Sequence, residues 1–234
     1  MLLGIIPRIT MSCTLQISDL RSVPYEEALE LQRQFHKEIV ESRTTSSISP
    51  FRLLLLEHDP PVITLSKRPA AGEHLLATPE QLAASGVQLC KTDRGGDITY
   101  HGPGQLVGYP ICDLNALSLR IHGYMRFLES CMIDVLAKFD IQGKRDACAT
   151  GVWVDGSKIC AMGVRVSKWV SMHGFALNVS TNLDHFDLIV PCGLAGRSVT
   201  SMKNILGAEC PSMEEVKRVV SDVFTKAVCE QSQK

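Results

Sequence analysis

The chain has 234 residues, 45% hydrophobic and 21% charged, enough for one well-packed core and too apolar for a disordered or low-complexity chain. Lysine and arginine number 24 against 25 aspartates and glutamates, so no global charge excess points to nucleic acid or an anionic membrane as the main partner. The apolar run Leu53–Leu56 falls far short of the roughly 20 residues that span a bilayer, and no membrane helix is expected. Residues 1–14 lack the basic region and cleavage site of a signal peptide and contain one arginine without an amphipathic presequence. They are expected to be an N-terminal extension, and the setting a bacterial cytoplasm rather than an organelle such as a mitochondrion. Residues 15–230 are then expected to form a single domain.

In chain order, Pro24–Ile39 places Ala28, Leu31, Phe35 and Ile39 at helical spacing behind a proline and two glutamates, which predicts an amphipathic helix. The Ser/Thr-rich run Ser42–Ser49 predicts a loop. Strands are predicted at Arg52–Glu57 and Val62–Ser66, a short helix at Pro79–Ala84, and strands at Val87–Lys91, Ile98–Tyr100 and Gln105–Pro110. The last two bracket a glycine-rich tip and read as a strand-loop-strand unit. Ile121–Phe139 has the periodicity of a long core helix. Strands at Thr150–Val154 and Lys158–Val166 flank the hairpin turn Asp155-Gly156-Ser157, and another is predicted at His173–Val179. Ser212 caps a closing helix to Val228. This order is irregular rather than βαβ throughout, so the predicted class is α+β with a mixed β-sheet flanked by helices.

Nine cysteines, at 13, 90, 112, 131, 148, 160, 192, 210 and 229, form no C-x-x-C pair. Neither a disulfide framework nor a metal site is expected, and a reducing compartment fits. Four stretches carry candidate chemistry. Arg94-Gly95-Gly96-Asp97-Ile98-Thr99-Tyr100-His101, continuing through Gly102 and Gly104, interleaves charged and aromatic residues with glycines that let a backbone approach a ligand. A tight hairpin turn would account for the glycines alone, and the spacing G-x-G-x-x-x-G is one residue too long for a dinucleotide fingerprint. Pro191-Cys192-Gly193 places a cysteine in an irregular segment, where it can be exposed. Lys158 stands at the mouth of an apolar strand, where a solvated face is the plain reading, and His173 opens the strand with Gly174-Phe175-Ala176, where a hydrogen-bonded core histidine is the plain reading.

Together these stretches resemble the octanoyltransferases of lipoate biosynthesis, through RGGDITYHGPGQLVGYP (94–110), GVWVDGSKICAMGVRV (151–166), HGFALNV (173–179), PCGLAGRSVTSM (191–202) and, more weakly, LLLLEHDPPVITL (53–65). Phe175, Leu194 and Ser66-Lys67-Arg68 depart from the family's common residues, which bears on acyl-chain fit rather than on chemistry. The resemblance implies the fold shared by biotin- and lipoate-protein ligases. It implies transfer of an octanoyl group from octanoyl-acyl carrier protein to a lysine of lipoyl domains, in 2-oxoacid dehydrogenase E2 subunits and the glycine cleavage H protein. It places the thioester on Cys192 with Lys158 as its partner, in a ping-pong reaction. The substrate-lining segments map to Arg94–His101, to Ala161-Met162-Gly163 and to Gly174-Phe175-Ala176.

A free cysteine, with a pKa of about 8.5, is only a few per cent thiolate at pH 7, so a neighbouring cation favours attack. Both donor and intermediate are thioesters and the product is an amide, so neither ATP nor another cofactor is expected. Arg94 and His101 are expected to orient the acyl carbonyl, and Lys67, Arg68, Arg165 and Lys168 to receive acidic partners. A monomer is expected. The alternatives are an ATP-dependent ligase on the same fold, an inert acyl- or lipoyl-domain-binding module, and a Cys/His metal protein; the paired retention of Cys192 and Lys158 and the scattered spacing of cysteines and histidines speak against them.

Overall fold

The computed structural model describes residues 15–45, 50–190 and 196–234. The predicted N-terminal extension, Ser46–Ser49 of the predicted loop, and Pro191–Ala195 with Cys192 and Leu194 lie outside the described residues. The elements are β1 (Leu15–Val23), α1 (Tyr25–Ser42), β2 (Phe51–His58), β3 (Val62–Leu65), α2 (Pro79–Ala84), β4 (Gln88–Lys91), β5 (Ile98–His101) and β6 (Gln105–Ile111). They continue with α3 (Ile121–Ala137), β7 (Lys144–Arg145), β8 (Val152–Val154), β9 (Ser157–Ser167), β10 (Val170–Asn178), α4 (Met202–Leu206) and α5 (Met213–Ser232), and 3-10 turns span Pro69–His74 and Leu183–Leu188.

Among the described residues the strands form two mixed sheets. The larger has the order β1-β2-β6-β10-β9-β8-β7, with β1 parallel to β2 and the other pairs antiparallel; the smaller is β4-β3-β5. The α+β expectation holds. The four-leucine run follows from burial on both faces of a central strand. Leu53 and Leu55 pack with Leu128, Val135, Val220 and Phe224 of α3 and α5, whereas Leu54 and Leu56 pack with Ala28 and Ile39 of α1. Helices therefore cover the large sheet on both faces.

Two sequence expectations need correction. Ile98–Tyr100 and Gln105–Pro110 are not a hairpin: β5 pairs with β3 in the small sheet and β6 with β2 and β10 in the large one, so the Gly102–Gly104 turn carries the chain from one sheet to the other. The helix predicted to end at Ile39 runs on to Ser42, into the predicted loop. Strand β1 was not predicted; Arg21, at φ 58°, interrupts its alternation beside a register shift. The predicted turn between β8 and β9 is the two-residue kind, with Asp155 at φ 47° and Gly156 at φ 82° between paired Val154 and Ser157.

The predicted cap of the closing helix is a full capping box. Ser212 Oγ accepts from the Glu215 amide at 3.3 Å, and the Glu215 carboxylate accepts from the Ser212 amide at 2.8 Å. Ser212→Ala is expected to cost about 1 kcal/mol, read as a lower urea midpoint at unchanged slope.

Candidate active site

A small chamber of about 40 Å3 lies between the two sheets. Its walls come from the loop between β4 and β5 (Arg94, Gly96, Asp97), from β5 (Thr99, His101), from β9 (Ala161, Met162, Gly163) and from β10 (Gly174, Phe175, Ala176). Eleven of the fourteen residues assigned to substrate binding by sequence thus meet around one space. Gly95 lines an adjoining cleft instead. Ile98 and Tyr100 do not join them: strand side chains alternate between faces, and these two point into the core of the small sheet with Ile63, Leu82 and Phe186. Tyr100 donates no group to the chamber; its hydroxyl meets His185 Nδ1 at 2.8 Å.

The loop sits against β9 because neither side carries a Cβ at the contact. The Gly95 amide donates to Val164 O at 2.9 Å, and a Cβ on Gly163 would lie 2.7 Å from Gly95 O. Arg94 is held by the same packing. Its Nη2 donates to Thr64 O and to Thr64 Oγ1, both at 2.8 Å, and its Nη1 donates to Gly95 O at 3.1 Å. These bonds fix the chamber wall rather than reach into it.

His101 is fully enclosed, and burial, then the neighbouring His58, holds its pKa well below the usual histidine range. Gln105 Nε2 donates to Tyr100 O and Asn178 Oδ1, so Gln105 Oε1 accepts, and the proton of neutral His101 lies on Nδ1, 2.8 Å away. Its Nε2 is then an acceptor. The expected carbonyl-orienting donor is absent from this tautomer, and the ring serves as an uncharged wall.

The sequence missed Tyr25, Tyr109 and His173 as lining residues. His173 is the hydrogen-bonded core histidine expected, with Nε2 3.0 Å from Asp93 Oδ1, and it lines the chamber as well. Tyr109 lies inside the 94–110 motif and so was open to assignment. Tyr25, at the start of α1 with its hydroxyl donating to Thr92 Oγ1 at 2.7 Å, carries no local signal.

The chamber shares Gly96, Asp97, Met162 and Gly163 with a cleft of about 420 Å3 that also contains Arg68, Met125, Cys148 and Lys158. Lys158 is buried, 7% exposed, contrary to the solvated face its strand position suggested. Its ammonium lies 4.9 Å from the Trp153 ring, on the paired position of β8. The backbone beside it holds the stretch that follows the cysteine segment: the Lys158 amide donates to Ser198 O and its carbonyl accepts from the Thr200 amide, each at 2.9 Å. The stretch that precedes the segment is held elsewhere, with the Val190 amide donating to His74 O at 2.8 Å. Arg197 also lies over Trp153, 3.9 Å from the ring and in a two-point pair with Asp146.

Residues 24–225 match the family model of the lipoyl protein ligase A/B catalytic domain. The octanoyltransferase of Gloeobacter violaceus is 48% identical over 206 residues, which cover 87% of this chain and 86% of that one. The chain belongs to the octanoyltransferase family. Octanoyltransferases are acyltransferases of lipoate biosynthesis, as the sequence motifs implied. The expected ligase-like fold is likewise present. A bi-partite lipoate protein ligase from Thermoplasma acidophilum superposes with a TM-score of 0.68 at 16% identity, covering 93% of this chain and 84% of that one. The biotin protein ligase of Aquifex aeolicus superposes with a TM-score of 0.55 at 13% identity, covering 94% and 72%. No helix among the described residues of this octanoyltransferase-family chain is long and apolar enough to cross a membrane.

Proposed function

We propose that the octanoyl group passes from acyl carrier protein to Cys192 as a thioester, and from there to a lysine of a lipoyl domain, on E2 subunits of 2-oxoacid dehydrogenases or on the glycine cleavage H protein. The observation that carries this reading is the adjacency of an apolar chamber and a buried lysine. The chamber is walled by Ala161, Met162, Phe175 and Ala176, and it runs into the Lys158 cleft across Asp97 and Met162. Burying the methylenes of an octanoyl chain contributes about 0.8 kcal/mol each. The stretch that follows the Cys192 segment is bonded to the backbone of Lys158, which lines that same cleft, and the stretch that precedes it is bonded to His74.

In the first half-reaction the Cys192 sulfur attacks the donor thioester carbonyl; the new C–S bond forms, the donor's C–S bond breaks, and the thiol proton ends on the departing donor sulfur. In the second the acceptor amine attacks, the C–N bond forms, the Cys192 C–S bond breaks, and an amine proton returns to the cysteine sulfur. Lys158 is the proton carrier in both. Exchange of one thioester for another is near thermoneutral and formation of the amide is downhill, so the sequence of steps closes without a nucleotide. A groove of about 530 Å3 lined by Arg33, Lys67, Arg68 and Lys91, with Asp93 among them, supplies the basic surface for acidic partners. Arg165, assigned to that surface by sequence, instead pairs with Asp93 at 3.0 Å.

The test is intact-mass measurement after mixing with octanoyl-acyl carrier protein, followed by peptide mapping. The expected result is one octanoyl adduct, labile to hydroxylamine, on the peptide containing Cys192 and absent in Cys192→Ala. An adduct on another residue, or octanoyl-lysine product formed by Cys192→Ala at the wild-type rate, refutes the assignment.

A further inference from the structure

Asp97 is 7% exposed and lines both the chamber and the Lys158 cleft. One carboxylate oxygen, Oδ2, lies 2.9 Å from His74 Nδ1, at ion-pair distance but out of line for a hydrogen bond. The other, Oδ1, is buried, and no described residue offers it a hydrogen bond. A buried carboxylate oxygen without a donor is costly, because water has been removed and nothing replaces it. A ligand that brings its own N–H and a positive charge removes that cost.

The charges around the cleft narrow the choice. Arg68 and Lys158 line it, and Asp97 is the only acidic residue among its described lining residues. An incoming lysine is an ammonium at neutral pH, with a reference pKa of about 10.4, and it must shed water between two methionines and the cationic side chains of Arg68 and Lys158. Without a compensating anion, that approach is repelled. Asp97 stands where the chamber and the cleft join, and it is held there: its own carbonyl accepts from the Ser66 amide, and the Gly95 amide beside it is bonded to β9.

We infer that Asp97 Oδ1 is the receptor for the acceptor lysine, binding its ammonium at the mouth of the chamber beside the acyl carbonyl. This rests on the acceptor being a lysine amine, as proposed above. Asp97 touches the substrate and makes or breaks no covalent bond; it concentrates and orients the nucleophile before the amine gives up its proton. The carboxylate also discriminates, since a neutral nucleophile gains little from it.

The experiment compares octanoyl transfer from one thioester donor to two nucleophiles, a lipoyl-domain lysine and hydroxylamine, which is uncharged at neutral pH. In Asp97→Asn and Asp97→Ala the ratio of lysine to hydroxylamine turnover is expected to fall roughly 10- to 100-fold, the range for loss of a charged hydrogen bond. Asp97→Glu should recover part of that loss. A general structural defect, or a role in holding the donor's arm, slows both nucleophiles alike, and an unchanged ratio overturns the inference. If the wild-type protein octanoylates no lysine, the acceptor reading fails and takes this inference with it; if it does and the ratio holds, Asp97 alone has been misassigned.

Discussion

Lys158→Ala is expected to lower kcat/KM for octanoyl transfer by roughly three orders of magnitude, within the range that positioned proton transfer contributes. The lysine is buried beside Trp153 in the cleft that adjoins the chamber. The proposed reaction asks two separable things of it: as a cation it would favour the thiolate, and as an acid and base it would carry the proton between sulfur and leaving group. Lys158→Arg keeps the charge but cannot release a proton, since its pKa exceeds about 12. It is expected to stay within about tenfold of the alanine variant. An arginine variant near wild-type activity would show that charge alone suffices and would sink the proton-carrying role. Lys158→Met keeps the aliphatic stem over the indole and serves as the folding control. Its activity is expected to fall with that of alanine while it still unfolds in one cooperative thermal transition.

The motifs that placed Lys158 and the chamber walls were visible because they are runs of neighbouring residues, whereas the joins between them are long-range. The leucine run of β2 and the capped helices α2 and α5 follow from local rules of periodicity and capping, and they stand within a few residues of expectation. Strand β1 escaped because a residue at positive φ breaks its period and its partner lies across α1. That β5 and β6 belong to different sheets is a pairing choice, and alternation within a strand says nothing about which neighbour it finds. Alternation could have separated Thr99 and His101 from Ile98 and Tyr100, since only one face of β5 can line a cavity. It misled at Lys158, where Trp153 and the 198–200 stretch cover a position that local pattern leaves to solvent. Tyr25 has no sequence signature at all; helix α1 delivers it to the chamber by packing on β10 and β6.

The protein is expected to lose about 4 kcal/mol of unfolding free energy between pH 7 and pH 5, from two histidines kept neutral around the chamber. His58 has no exposed surface; Nδ1 donates to Val23 O at 3.0 Å and Nε2 accepts from the Tyr109 hydroxyl at 2.7 Å. Burial lowers its pKa to about 4. His101, 5.6 Å from His58 between ring centroids, is held well below the usual histidine range by burial and by that neighbour. The unfolded chain protonates each near pH 6.5, while in the folded chain His58 does not protonate until near 4 and His101 titrates well below the usual histidine range. Below pH 6.5 the unfolded state therefore binds more protons, and stability falls by about 1.4 kcal/mol per pH unit for each histidine until the folded ring protonates in turn. Carboxylates with pKa near 4 contribute little over this interval. Urea unfolding at the two pH values measures the drop, and His58→Gln should remove about half of it. A loss under about 1 kcal/mol in the wild-type protein would mean that the rings titrate inside the fold. The same neutrality serves the site, because a protonated His101 in the chamber wall would confront an alkyl chain with a charge it cannot solvate. Octanoyl binding by the folded protein is accordingly expected to hold between pH 7 and pH 5, the interval in which stability falls, because the folded rings stay neutral there.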